Sequence, residues 1–140
     1  METWDALRAR RNVRTFTPQP IAATDLDQIL EAGRRAPSAS NWQPWDFVVV
    51  TDRDQLERLA GVWRGAGHIA RAAAAIAIVA PRVDDARRTG LLQYDLGQAT
   101  MSIMLARYCG GVSRVAMYPP AAPRARHSVM SQSHRRAMLR

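Results

Sequence analysis

The sequence contains only one cysteine and no long apolar run, and each of these shortages excludes a class of site or protein. With Cys109 alone, the chain forms no internal disulfide and no thiolate cluster around a metal ion. The three histidines lie far apart without a carboxylate at ligand spacing, so we expect no metal site. Crossing a bilayer takes roughly 18 consecutive apolar residues, and residues 69–80 are fewer and include Arg71. The N-terminus lacks the apolar core of a secretory signal, which favours a cytoplasmic location.

Acidic residues end at Asp95, so the net charge of +8 arises in the C-terminal part of the chain. Residues 1–95 hold 13 arginines against 12 acids, whereas residues 96–140 hold 7 arginines and no acid. Because proline and arginine replace periodic order late in the chain, we predict one folded region over 1–108 and a poorly ordered basic tail over 109–140. A frameshift in a GC-rich gene would produce such a tail. The tail contains no recognition helix and no cysteines or histidines at the spacing of a zinc site, so specific nucleic-acid binding is not favoured.

Two amphipathic helices are predicted in the first half of the chain. Each begins with a capping residue followed three positions later by a polar partner, and apolar residues then recur at helical spacing. The pairs are Thr24 with Asp27 and Asp52 with Gln55. These patterns predict helices over about 24–36, before Pro37, and over about 52–63, with Trp63 on the apolar face.

Two strands and a third long helix complete the predicted elements. The β-branched run at 47–51 predicts a buried strand, and the apolar run at 74–80 predicts a second interior strand. From Leu92 to about residue 106 the apolar positions follow helical spacing, while methionines and leucines occupy the other faces. We therefore expect this helix to be buried nearly all round, in part against a partner subunit. After about residue 110 the sequence predicts no further element.

Three guanidinium groups are concentrated in residues 10–14, where a short N-terminal helix gives way to extended chain. Arginine is planar, permanently charged and able to donate two hydrogen bonds at once, which suits a phosphate dianion. Arg10 and Arg14, with Asn12 as a neutral donor between them, could converge on one phosphate. The alternative interpretation, which the spacing alone favours, is a solvated basic surface.

A second polar constellation lies between the first predicted helix and the first predicted strand. Residues 36–45 contain two hydroxyls, two amides and two indoles, and two prolines stiffen the segment. Fixed donors and acceptors of this kind suit the polar edge of a flat heterocycle. The alternative is a polar loop with Trp42 and Trp45 packed into the core.

Together these motifs give the chain a specific resemblance. An Arg-Arg-x-x-Arg-x-Phe start followed by Ala-Pro-Ser-x-x-Asn-x-Gln-Pro-Trp resembles the FMN-dependent nitroreductase family, with the same order and separation. Residues 94–99 are similar to the Asp-x-Gly-x-Ala opening of that family's long central helix. The resemblance covers residues 4 to about 108 and is lost after about Arg107. It implies an α+β homodimer with a central sheet flanked by helices, here incomplete at the C-terminus.

The resemblance also implies a cofactor, a reaction and a set of binding residues. FMN would bind with its phosphate on the first motif and its ring and ribityl chain near the second. The implied cofactor-binding residues are Arg10, Arg11, Asn12, Arg14, Pro37, Ser38, Ala39, Ser40, Asn41 and Gln43. NAD(P)H would reduce the flavin and leave, and a quinone or nitroaromatic acceptor would follow in a ping-pong sequence, with no side chain needed as acid or base. The alternative is a non-catalytic remnant that only dimerises or binds through its basic surface.

Overall fold

The computed structural model describes residues 2–17, 19–109 and 115–117 of the chain. Among these residues the helices are α1 (Thr3–Ala9), α2 (Ala23–Arg34), α3 (Arg53–Ala60) and α4 (Ala86–Cys109), and the strands are β1 (Asp46–Val50), β2 (Ala74–Val79) and β3 (Val115–Met117). Two short 3-10 turns span Ala39–Asn41 and Gly67–Arg71. This combination confirms the α+β class. Apart from Cys109 and β3, the predicted tail lies outside the described residues.

Helix α2 confirms the first predicted helix but not its predicted cap. The helix begins one residue earlier than expected, and the residue before it is Ala22, which makes no side-chain capping bond. Thr24 and Asp27 therefore lie inside the helix, where their side chains are too far along to cap its first turn. Asp25 supplies a negative charge in that turn, which the helix dipole favours.

Helix α3 confirms the second prediction and its cap. The Asp52 carboxylate accepts the Gln55 backbone N–H at 3.0 Å, which satisfies one of the donors exposed at the helix start. The helix ends at Ala60, because Gly61 follows as its C-terminal cap. The expectation that Trp63 extends the apolar face of this helix is wrong, since Trp63 lies beyond the helix and is 55% exposed.

The strands form a mixed three-stranded sheet in the order β1, β2, β3. Strand β1 pairs antiparallel with β2, with Val48 opposite Ala77, and β2 pairs parallel with β3. The prediction that β1 is buried is wrong: Asp46 is exposed and the other four residues are half-buried, because β1 lies at the outside of the described sheet. The interior strand β2 is confirmed. Strand β3 was not expected, since three residues are too few to show a pattern.

Helices cover both faces of this sheet, as the sequence led us to expect. On one face, Ile76 and Ile78 of β2 pack with α2 and α4 in the larger core, which also contains Ala36 and Trp45. On the other face, Ala75 packs with Leu56 of α3 and with the Gly67–Arg71 turn. Helices α2 and α4 approach closely at Gly33, where an added Cβ would lie 2.8 Å from the Ile103 side chain.

Helix α4 is longer and less buried than the sequence predicts. It starts at Ala86, where the Asp85 carboxylate accepts the Arg88 backbone N–H at 2.8 Å. One face is buried, but the expectation of burial nearly all round is wrong within a single chain, because Tyr94 is 69% exposed and Met101 36% exposed. None of the described helices combines the length and apolar character that a membrane crossing requires.

Candidate functional site

The segment between α2 and β1 is anchored at its two ends and open in the middle. Ala36 and Trp45 are buried in the larger core. Between them, Trp42 is 46% exposed, and the polar residues around it are also exposed. The alternative in which both tryptophans pack into the core is therefore correct for Trp45 and wrong for Trp42. We call residues 36–45 the recognition loop.

The backbone of the recognition loop adopts a conformation that its residues disfavour. Ser40, Asn41 and Gln43 have φ values of 54°, 53° and 47°, in the left-handed region. Asparagine tolerates this region, but for serine and glutamine it is uncommon. Each such residue costs about 1–3 kcal/mol and persists only where its surroundings impose it. The loop must therefore be held by specific contacts.

Three hydrogen bonds supply that hold. The buried Asp95 carboxylate of α4 accepts the Ala39 backbone N–H at 3.0 Å. Ser38 Oγ accepts the Gln43 backbone N–H at 2.8 Å, and Gln43 Nε2 donates to the Arg34 carbonyl at 3.3 Å. The first bond fastens the loop to α4, and the other two close it on itself and on the end of α2.

These bonds divide the predicted loop residues into two groups. The side chains of Ser38 and Gln43 serve the loop itself, because their polar atoms already make internal hydrogen bonds. The side chains of Ser40 and Asn41 belong to exposed residues at the turn of the loop. Pro37 is exposed and Ala39 half-buried. Of the set, Ser40 and Asn41 are best placed to meet a ligand.

Asp95 is the residue that the sequence-based site omitted. Its position carried a signal, since it lies between Leu92, Leu96 and Ala99 on the buried face of α4 and is only 1% exposed. A charged residue on an apolar helix face needs a polar partner. That partner, Ala39, is 56 residues away in the sequence, so no local sequence pattern predicts the pairing.

The arginine-rich segment at residues 10–16 is fastened through its backbone and its aromatic residue. Helix α1 ends at Ala9, and the buried Arg107 of α4 donates to the Arg11 carbonyl at 3.3 Å. Phe16 packs against the second core and stacks on His68, with the ring centroids 6.2 Å apart. The segment is thus extended and held at two points.

The predicted phosphate-binding side chains lie on the surface of this segment. Arg11, Asn12 and Arg14 are exposed, and Arg10 is half-buried. No acidic residue occurs between Asp5 and Asp25, so positive charge is concentrated along this stretch. Guanidinium groups and an amide in extended chain form a suitable donor set for a phosphate.

Both candidate segments are attached to helix α4, but at different places. The recognition loop is bonded to Asp95 and the arginine-rich segment to Arg107. These two residues are twelve positions apart, which corresponds to about 18 Å along an α-helix. Within a single chain, the anchors of the recognition loop and of the arginine-rich segment are therefore far apart along α4 and do not meet at one site.

An ion-pair cluster closes α2 immediately before the recognition loop. Glu31 accepts hydrogen bonds from Arg34 and Arg35, which lower its pKa from 4.5 to about 2. The same pairing raises the pKa of Arg34. Both guanidinium groups are thus engaged with a carboxylate, which makes them poor candidates for binding an external anion.

Two clefts flank Trp42. One, of about 330 Å³, is lined by Ala39, Ser40, Trp42, Arg88 and Leu91. The other, of about 430 Å³, lies where β1 begins and β2 ends, and includes Trp45 and Pro81. Within the described part of the chain, no group of three or more His, Cys, Asp or Glu is arranged to hold a metal ion.

Known proteins resemble this chain in sequence and in fold. The family model described as the nitroreductase family matches residues 7–138. An Archaeoglobus fulgidus protein named NADH dehydrogenase/NAD(P)H nitroreductase is 34% identical over 112 residues, which are 79% of this chain and 64% of that protein. A Pseudomonas putida protein named 4-nitrobenzoate reductase is 41% identical over 64 residues, 44% of this chain and 28% of that one.

A solved structure gives the same answer. A nitroreductase from Desulfovibrio desulfuricans, crystallised with FMN, superposes with a TM-score of 0.69 at 27% identity, covering 76% of this chain and 62% of that one. The chain thus spans less than two thirds of the length of the relatives that it matches over most of its own length. The fold is nitroreductase-like. The family match continues to residue 138, past Arg107, where the recognisable sequence motifs were expected to end. The chain belongs to the nitroreductase family.

Proposed function

We propose that this protein is an FMN-dependent NAD(P)H oxidoreductase that works as a homodimer, passes electrons to a quinone or nitroaromatic acceptor, and resides in the cytoplasm. The observation that carries the proposal is the pair of segments on α4: exposed arginines at one position and a strained, exposed loop at the other. Family membership and an FMN-bound structural relative support the choice of cofactor. The name of the Archaeoglobus relative supports NAD(P)H as donor.

The residues present fit FMN as a ligand. The phosphate would bind to Arg10, Arg11, Asn12 and Arg14, whose side chains offer charged and neutral donors. Ser40 and Asn41, with the backbone of the recognition loop around Pro37 and Ala39, would contact the ring and ribityl chain, while Ser38 and Gln43 keep the loop closed. When bound, FMN would take a hydride from NAD(P)H and pass electrons to the acceptor. The arginines would provide a positive environment that stabilises a reduced, anionic cofactor.

A homodimer would resolve the separation of the two segments. If two copies of α4 crossed in antiparallel fashion near Met101, which is midway between Asp95 and Arg107, a two-fold axis would relate them. The recognition loop of one chain would then approach the arginine-rich segment of the other. Each site would be composite, with phosphate contacts from one subunit and ring contacts from its partner.

The exposed face of α4 is suited to that contact. Gly90, Tyr94, Gly97 and Met101 are all exposed and recur at alternating spacings of four and three residues, which places them on one stripe. Among the described residues, a Cβ added at Gly90 or Gly97 would meet nothing within 4 Å, so a second helix could approach the backbone closely there. This stripe would bury the side chains that one chain leaves open.

The test is flavin retention by the purified protein. We expect the protein, mixed with excess FMN and desalted, to keep the visible absorption bands of bound flavin. Arg10→Glu and Arg14→Glu should each weaken FMN binding by at least about tenfold, because they replace a phosphate donor with a repelling charge. Arg64→Glu makes the same charge change at an exposed position outside the site and should have little effect.

Failure to retain flavin would overturn the proposal, provided that circular dichroism shows a folded sample. The non-catalytic alternative, a protein that only dimerises or binds through its basic surface, would then account for the sequence. It expects no effect of charge reversal at Arg10 or Arg14 on flavin binding. Retained flavin would justify measuring NAD(P)H oxidation with quinones and nitroaromatics as acceptors.

A further inference from the structure

One side of α4 faces the recognition loop with three residues. Arg88, Leu91 and Asp95 are spaced by three and four positions, so they lie on the same side of the helix. Asp95 hydrogen-bonds the loop at Ala39, and Arg88 and Leu91 line the 330 Å³ cleft together with Ala39, Ser40 and Trp42. The Asp95–Ala39 hydrogen bond therefore also positions the loop, which forms one wall of the cleft, relative to α4, which forms the other.

The walls of this cleft combine an aromatic surface with one positive charge. Trp42 is 46% exposed and Leu91 41% exposed, so both present accessible apolar surface to the cleft. Arg88 is an exposed residue of the cleft lining. A volume of about 330 Å³ is at the small end of ligand sites, which suits a single aromatic ring with its substituents rather than a large cofactor.

The Arg88 guanidinium forms no ion pair within the described part of the protein. The ion pairs there involve Glu31 and Asp84, and the Arg88 guanidinium belongs to neither. The nearby Asp85 carboxylate accepts the Arg88 backbone N–H, and Asp95 accepts that of Ala39. Arg88 can therefore offer a bidentate donor to an external carboxylate.

We propose that this cleft binds an aromatic carboxylate, with the ring between Trp42 and Leu91 and the carboxylate on the Arg88 guanidinium. The proposal rests on the proposed function, since it names the acceptor class that the recognition loop would hold beside the flavin. A relative named 4-nitrobenzoate reductase agrees with this chemistry. Arg88 thereby becomes a specificity-determining residue, because it distinguishes an acidic acceptor from a neutral one of the same shape.

The experiment compares two ligands that differ in charge and resemble each other in shape. Isothermal titration calorimetry of the whole chain would measure the Kd of 4-nitrobenzoate and of 4-nitrotoluene, with and without FMN. We expect Arg88→Gln to weaken 4-nitrobenzoate binding by about tenfold and to leave 4-nitrotoluene binding unchanged, since only the charged ligand loses a partner. Arg87→Gln, one position away and outside the cleft lining, is the matched control and should change neither Kd.

Several outcomes would overturn the proposal. They are equal Kd values for the two ligands in the unmodified protein, equal losses for Arg87→Gln and Arg88→Gln, or a loss for both ligands in Arg88→Gln. Thermal unfolding of each variant establishes that a loss is not misfolding. Because the titration is also made without FMN, Arg88-dependent binding in a protein that retains no flavin would support the cleft while refuting the oxidoreductase proposal. Retained flavin together with equal Kd values for 4-nitrobenzoate and 4-nitrotoluene would support the oxidoreductase proposal while refuting the carboxylate site in the cleft.

Discussion

The two candidate binding segments differ in how they are held. The recognition loop has a defined shape, with three residues in the left-handed region, a buried carboxylate beneath it and internal bonds across it. The arginine-rich segment is extended, anchored by the Arg11 carbonyl and by Phe16, and presents its charges to solvent. In the function we propose, the loop would recognise the ligand by shape, whereas the segment would recognise it by charge.

The largest effect is expected from removing the anchor of the loop. Asp95→Ala leaves the Ala39 N–H without its partner in a partly buried place and should lower the free energy of unfolding by about 1–3 kcal/mol. Hydrogen exchange at the Ala39 amide should accelerate, and flavin affinity should fall. Asp95→Asn keeps an accepting oxygen and should restore most of both. If Asp95→Ala left the exchange rate unchanged, the carboxylate would not be what holds the loop.

A smaller effect is expected at the anchor of the arginine-rich segment. Phe16→Ala removes a half-buried ring that packs on the second core and stacks on His68, which should cost about 1–2 kcal/mol of unfolding free energy. Hydrogen exchange should rise over residues 10–16 but not in the recognition loop. Phe16→Tyr retains the ring and serves as control. Equal exchange increases in both segments would contradict the view that they are held separately.

A still smaller effect is expected from salt, which should weaken the contribution of the arginine-rich segment to FMN affinity but not that of the recognition loop. Because the proposed phosphate contacts involve exposed charges, FMN affinity should fall by roughly three- to tenfold between about 0.05 and 0.5 M NaCl. Arg14→Gln should reduce this dependence, whereas Asp95→Ala should weaken FMN binding without changing the dependence. A fluorescence titration of FMN at several salt concentrations measures both. An unchanged salt dependence in Arg14→Gln would remove that residue from the phosphate site.

The smallest effect concerns the charge cluster before the loop. Arg34 and Arg35 lower the pKa of Glu31 to about 2, so the stabilisation by this carboxylate is present above pH 4.5 and is lost as the pH falls towards 2. Glu31→Gln should flatten this part of the pH dependence of the melting temperature. The change will be slight because the group is solvent-screened. A pH profile identical to that of the unmodified protein would show that the pairing contributes nothing measurable.

Part of the site could be predicted from the sequence. The residues that could not be predicted were missed for one physical reason, which is that their contacts join distant parts of the chain. The Asp52 cap of α3 is a local contact across three residues and was readable. Asp95 and Ala39 are 56 positions apart. Arg88 lines the cleft beside the loop only because α4 begins six residues earlier than its apolar pattern shows. The exposure of β1 likewise depends on its place in the sheet rather than on its own residues.

By itself, the sequence determined the existence and type of α2, α3, β1 and β2, the two motifs and the family that they indicate. Local periodicity and capping carry that information because they act within a few residues. Only the tertiary structure decided that Asp95 holds the recognition loop, that Arg107 holds the arginine-rich segment, and that about 18 Å of helix separates them. Such contacts depend on packing between distant parts of the chain, which no local pattern encodes.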